Sequence, residues 1–165
     1  MIRPSIFTTC SAVLLLCCYA AGQNKSDSVV SKYHPVTIYD PKRDAEAEIK
    51  DAVVEARRSG RLVLVDVGGE WCSWCHTLDR FFEQNSALLE YREQNFVMVK
   101  INYSRENKNE KLLSRYPKIP GFPHFFVLDA RGNLLRSQDT SELEQGRSYN
   151  LEKLFAFLKK WAAHK

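Results

Sequence analysis

The chain predicts an α/β fold with a central mixed sheet and helices on both faces. Short, β-branched apolar runs alternate with segments of helical spacing. Two of those runs, residues 62–67 and 96–101, are joined by helix-like sequence, which implies a parallel central pair. The last forty residues read as strand, turn, strand and amphipathic helix, which adds antiparallel strands.

Taken in order, residues 36–39 (Val-Thr-Ile-Tyr) read as a short edge strand, and Asp40-Pro41 as a turn or helix start. Ala45 to Arg58 reads as a helix, because Ala45, Ile49, Ala52, Val53 and Ala56 recur every three or four residues and Gly60 suits the stop. Leu62 to Val67 is apolar except for Asp66, as a strand buried on both faces would be. Cys75, Leu78 and Phe82 share one face of a helix running to about Gln84, bordered by Phe81, and Ser86 caps a further turn or two. Phe96 to Ile101 is a second strand, and Asn107 to Tyr116 a short helix closed by Pro117. Phe125 to Leu128 and Leu134 to Arg136 form a hairpin about the turn at 129–133. Residues 138–149 are a polar connection. Asn150 then caps a last helix whose stripe is Leu151, Leu154, Phe155, Leu158, Trp161 and Ala162.

At 165 residues the chain suits one domain. Formal net charge is +4, with bases and acids interleaved rather than blocked, which argues against nucleic acid as a partner. Arg3, the apolar run from Ile6 to Ala21 and the small residues Ala20-Ala21-Gly22 have the order of a secretory signal peptide over residues 1–22. The alternative is an uncleaved anchor, for which the run is short. Residues 23–40 follow as a flexible lead and 41–165 as the domain. The expected location is therefore outside the cytoplasm, periplasmic or secreted, where disulfides persist.

Of five cysteines, Cys10, Cys17 and Cys18 fall in the expected signal peptide, leaving Cys72 and Cys75. A C-x-x-C pair closes too small a loop to stabilise much, so the pair points to chemistry. The flanking sequence is Gly68-Gly69-Glu70-Trp71-Cys72-Ser73-Trp74-Cys75-His76, placed after a strand and opening a helix.

These positions resemble the thioredoxin-like superfamily, from about Ala45 to the C-terminus. The resemblance rests on Asp66 six residues before the first cysteine, Glu70-Trp71 directly before it, Lys100 on the next central strand, and Gly121-Phe122-Pro123 before the third. It departs at Ser73-Trp74 between the cysteines, at Arg80 in place of a helix-kinking proline, and at His76 in place of lysine or arginine. It implies thiol–disulfide exchange with protein thiols and disulfides, a cis bond at Pro123, and no cofactor beyond the Cys72–Cys75 pair. It also implies an incoming peptide that pairs with the backbone before Pro123, with Phe122 helping to set preference.

Within that frame Cys72, at a helix N-terminus, is the nucleophile, because unpaired N–H groups and the helix dipole favour its thiolate. Cys75, one turn later, resolves the mixed disulfide. Asp66 accepts the Cys75 proton, its pKa raised by burial, and Lys100 moderates that rise. Trp71 and Trp74 offer an apolar landing surface, with Trp71 equally readable as half-buried scaffold and Trp74 expected to be exposed. Ser73 and His76 tune the site. Reduction is the favoured direction, in a monomer recharged by a membrane electron donor. The competing readings are an oxidase or isomerase, a non-catalytic binding or chaperone module, and haem attachment at the C-x-x-C-H, which would want a distal ligand although Met98 falls inside an expected buried strand. A zinc site would want a second cysteine pair, which the chain lacks.

Overall fold

The computed structural model describes residues 33–35 and 37–162. The expected signal peptide and most of the expected lead lie outside the described residues. The elements are α1 (Ala45–Ser59), β1 (Leu62–Gly68), α2 (Ser73–Gln84), α3 (Ser86–Asn95), β2 (Phe96–Asn102), α4 (Glu110–Leu113), β3 (His124–Leu128), β4 (Leu134–Asp139), β5 (Glu144–Gln145), β6 (Ser148–Tyr149) and α5 (Leu151–Trp161). The main sheet has the order β2-β1-β3-β4, with β1 and β2 parallel and the other pairings antiparallel. The mixed sheet expected from the sequence is present.

Strand alternation sorts the core into two layers. Val63, Val65 and Val67 of β1 and Val97, Val99 and Ile101 of β2 pack with Ile49, Ala52 and Ala56 of α1. Leu64, Phe96, Phe125 and Val127 face the other way, against Leu78 and Phe82 of α2, Leu88 of α3 and Leu154 and Leu158 of α5. Asp66 and Lys100 are in register on β1 and β2, at the parity of Leu64 and Phe96, so both belong to the α2 layer.

Local signals explain the helix ends. Asp44 accepts from the N–H groups of Glu46 and Ala47 at the start of α1, and Gly60 closes it in the left-handed region at φ 70°. Asn150 accepts from the Lys153 N–H at the start of α5.

Several elements differ from expectation. Residues 37–39 form no strand; that segment turns inward to bury Tyr39. α3 runs ten residues, and Ser86 is its first residue rather than its cap. α4 shrinks to four residues because asparagine side chains take over the loop before it. Asn102 Nδ2 donates to the Asn107 carbonyl at 2.8 Å, and Asn109 Nδ2 to the Asn102 carbonyl at 2.7 Å. The polar connection is ordered: β4 continues to Asp139, a 3-10 turn spans Thr140–Leu143, and β5 pairs with β6. On α5 Leu151 is exposed, and Phe157, absent from the expected stripe, is buried.

Candidate active site

β1 delivers the chain to the site and α2 leaves it. Cys72 is the N-cap of α2, its Sγ accepting from the Cys75 N–H at 3.1 Å. The two cysteines form a disulfide with Cα atoms 5.2 Å apart, and both are buried. The helix start therefore presents a backbone donor to the Cys72 sulfur, the geometry that favours a thiolate there.

Gly68, the last residue of β1, permits this packing. A Cβ there would meet Cys75 Sγ at 2.5 Å and the Tyr39 ring and hydroxyl at 2.9 Å. Tyr39 thus lies against the floor of the site beside the sulfur of Cys75. Its N–H donates to Glu70 Oε1 at 2.9 Å, fixing the incoming segment to the cysteine loop.

Asp66 is 2 % exposed, and its Oδ1 has no hydrogen-bond partner among the described residues. Burial raises its pKa to about 6, assisted by the Asp79 carboxylate; the Lys100 ammonium and the Tyr39 hydroxyl act in the opposite sense. Lys100 lies alongside Asp66 in the sheet but bonds elsewhere. Its Nζ donates to Asp79 Oδ1 at 2.6 Å and sits 4.5 Å from the centroid of the Tyr39 ring. Asp79 and Tyr39 are the site residues that sequence reasoning missed. Asp79 had a readable signal, four residues after Cys75 and so on the same side of α2.

The Phe122–Pro123 peptide bond is cis, as the resemblance implied. The proline is held on its far side by Thr140, whose Oγ1 donates to the Pro123 carbonyl at 2.5 Å. Phe122 stacks on Tyr103, with ring centroids 4.7 Å apart, and meets Trp71 edge-on at 5.7 Å. Trp71 is 59 % exposed, while its Nε1 donates to the Tyr103 carbonyl at 2.6 Å. Tyr39, Glu70, Trp71, Asn102 and Tyr103 help to line a groove of about 670 Å³ beside this cluster.

Trp74 corrects an expectation. It is half-buried rather than exposed, meeting Tyr149 edge-on at 5.6 Å, as Phe81 does from the next turns of α2. Ser73 is exposed. His76 bonds the Glu70 carbonyl through Nε2 at 2.8 Å, so it braces the loop before Cys72. His124 follows the cis proline and is buried. Its Nε2 lies 2.8 Å from Ser137 Oγ, and burial lowers its pKa, which keeps it neutral.

A helix-capping C-x-x-C disulfide just after a central strand, with the residue before a cis proline packed against it, defines a thioredoxin-like redox protein. A thioredoxin-like family model matches residues 44–130, and the chain belongs to that family. Its relatives give the activity. It is 25 % identical over 137 residues, 78 % of this chain and 80 % of the other, to the disulfide bond reductase DsbH of Chlamydia pneumoniae. It is 30 % identical over 117 residues to the thiol:disulfide interchange protein DsbD of Pseudomonas fluorescens, covering 70 % of this chain and 18 % of that larger protein. A disulphide isomerase from Xylella fastidiosa has a similar structure, with TM-score 0.62, 26 % identity, and coverage of 74 % of this chain and 94 % of the other. The chain is a thiol–disulfide oxidoreductase.

Proposed function

We propose that the protein is an exported reductase of protein disulfides. The observation that carries the reading is the Cys72–Cys75 pair at the N-terminus of α2, with a buried carboxylate behind it and an aromatic surface in front. The reduced Cys72 thiolate attacks a substrate disulfide, forming a mixed disulfide and releasing one substrate thiolate. Cys75 then attacks Cys72 Sγ as its proton passes to Asp66. The Cys72–Cys75 bond forms, the second substrate sulfur leaves as thiolate, and two electrons have moved to the substrate. Lys100 holds the charge balance around Asp66. Trp71, Phe122 and the backbone before Pro123 receive the substrate strand, Trp74 packs beside the cysteines and against Tyr149, and Ser73 and His76 tune the loop.

The direction is supported by the reductase among the relatives. A membrane electron donor is the partner this reading assigns to restore the dithiol, and the similarity to a thiol:disulfide interchange protein supports exchange with a protein partner. The signal-peptide pattern of residues 1–22 supports export to the periplasm or beyond. Among the described residues no helix is long and apolar enough to cross a membrane. The reading takes the protein as a monomer that needs no cofactor besides its disulfide. Isomerisation is the second reading, favoured by the similarity to the Xylella isomerase.

Two measurements test the proposal. Cys75→Ser accumulates a mixed disulfide with oxidised protein substrate through Cys72, and Cys72→Ser accumulates none; equal trapping by both refutes the assignment. Equilibration with glutathione gives a potential near thioredoxin's, about −270 mV, for a reductase, and one near −120 mV for an oxidant.

A further inference from the structure

The segment before the family-matched residues 44–130 contributes one side chain to the redox centre. Ile38 is exposed, while its neighbour Tyr39 is 1 % exposed. The phenol and the Cys75 sulfur both press on Gly68. The Tyr39 hydroxyl has no hydrogen-bond partner among the described residues, and neither does Asp66 Oδ1. Asp66 is also the charged neighbour that acts most strongly on Tyr39. A buried hydroxyl and a buried carboxylate, each unpaired, are both costly. The phenol can donate and the ionised carboxylate can only accept, and the two groups act on each other, so a small approach of one oxygen to the other satisfies both.

We propose that Tyr39 is a positioning residue for the exchange reaction: its hydroxyl donates a hydrogen bond to the Asp66 carboxylate and holds that group ready to take the Cys75 proton. The inference rests on the reading of Asp66 as proton acceptor. In the resolving step the Cys75 S–H bond breaks and its proton goes to Asp66. The electron pair left on sulfur forms the bond to Cys72 as the bond from Cys72 to substrate breaks. Tyr39 keeps its own proton, since burial and the Asp66 charge oppose its ionisation. Besides Tyr39, the groups acting on Asp66 are Lys100 from β2, Asp79 from α2, Arg92 from α3 and Tyr149 from β6, while Cys75 of α2 packs with Tyr39. Among these Tyr39 is the hydroxyl donor acting on the ionised carboxylate.

The test is a ¹³C NMR titration of the Asp66 carboxyl in the oxidised full chain, with insulin-disulfide reduction by the same proteins followed against pH. The wild-type midpoint is expected at about 6. Tyr39→Phe keeps the ring and loses the donor, so its midpoint rises by roughly one pH unit, and the acid limb of turnover moves with it. Placing 3-fluorotyrosine at position 39 strengthens the donor and moves the midpoint down, which keeps the test open should Tyr39→Phe fold poorly. In an Asp66→Asn background Tyr39→Phe adds no further loss of rate. Titration curves of both Tyr39 variants that superimpose on the wild type overturn the proposal, as does an undiminished rate loss in the Asp66→Asn background. The titration needs no substrate, so a wild type that reduces no insulin refutes the reductase reading separately.

Discussion

Two buried carboxylates in this protein have opposite surroundings. Glu55, on α1, accepts from Arg58 Nε and Nη2 and from Arg61 Nη2, at 2.8 to 2.9 Å. Asp66, one strand away, has an oxygen with no partner among the described residues, while the nearby Lys100 is engaged by Asp79. Glu55 ties the end of α1 to the start of β1 through Arg61, and that is structural work. Asp66 is kept under-bonded in an apolar layer, where its proton affinity rises toward the range useful near neutral pH. Burial alone does not mark a functional acid; burial without full compensation does.

The contrast is broken most severely at Asp66 itself. Asp66→Asn removes the proton acceptor and should slow the resolving step by roughly 10²-fold at pH 7, measured by stopped-flow release of substrate thiol. The same variant should be more stable than wild type. The folded pKa of Asp66 is about 6 against an ordinary value of 3.8, so the native state binds the extra proton between those values. Wild-type stability therefore falls as pH rises from about 4 to 6 and stays lower above that range. Asn escapes the loss, a gain of about 3 kcal/mol at pH 7 that vanishes by pH 4, read from urea unfolding across pH.

Asp79→Asn sharpens the comparison with a smaller effect. It removes a neighbouring negative charge and frees Lys100 toward Asp66, so both changes favour the ionised form. The Asp66 midpoint falls, and the acid limb of exchange shifts to lower pH, measured by carboxyl titration and by turnover. Glu55→Gln should change least. Its melting temperature drops by about 2–4 °C while exchange rate and pH profile stay at wild type, read by calorimetry beside the insulin assay.

The legible part of the site was the part with strong local contrast. Asp66 stands out as an acid inside Leu62 to Val67; Lys100 was placed beside it by the resemblance, and the register of β1 and β2 pairs the two. Pro123 was legible through the resemblance carried by Gly121-Phe122-Pro123. β1, β2 and β3 were legible as mostly apolar runs, whereas β4, with the sequence Leu-Leu-Arg-Ser-Gln-Asp, was read only to Arg136. Tyr39 was not, because an aromatic residue in a segment without periodicity carries no sign of which way it turns. Its burial depends on Gly68 lacking a side chain and on Glu70 reaching back to its N–H, both about thirty residues away. Trp74 was legible in retrospect: it shares the spacing of Leu78 and Phe81 on α2, and its partner Tyr149 comes from a hairpin too short to announce itself. The loop before α4 failed similarly, since asparagine side chains compete with helix for the backbone.

The placement of the indoles has an optical consequence. Two of the chain's three tryptophans flank Cys72: Trp71 precedes it with its ring in the open, and Trp74 lies two residues on, tucked against Tyr149. A disulfide quenches the emission of indoles beside it, and a dithiol does so less. Both rings therefore brighten on opening of the Cys72–Cys75 bond, and Trp71, being in water, also responds to a bound substrate. The protein carries a built-in gauge of its own oxidation state, readable without a label in the same cuvette as the exchange it performs.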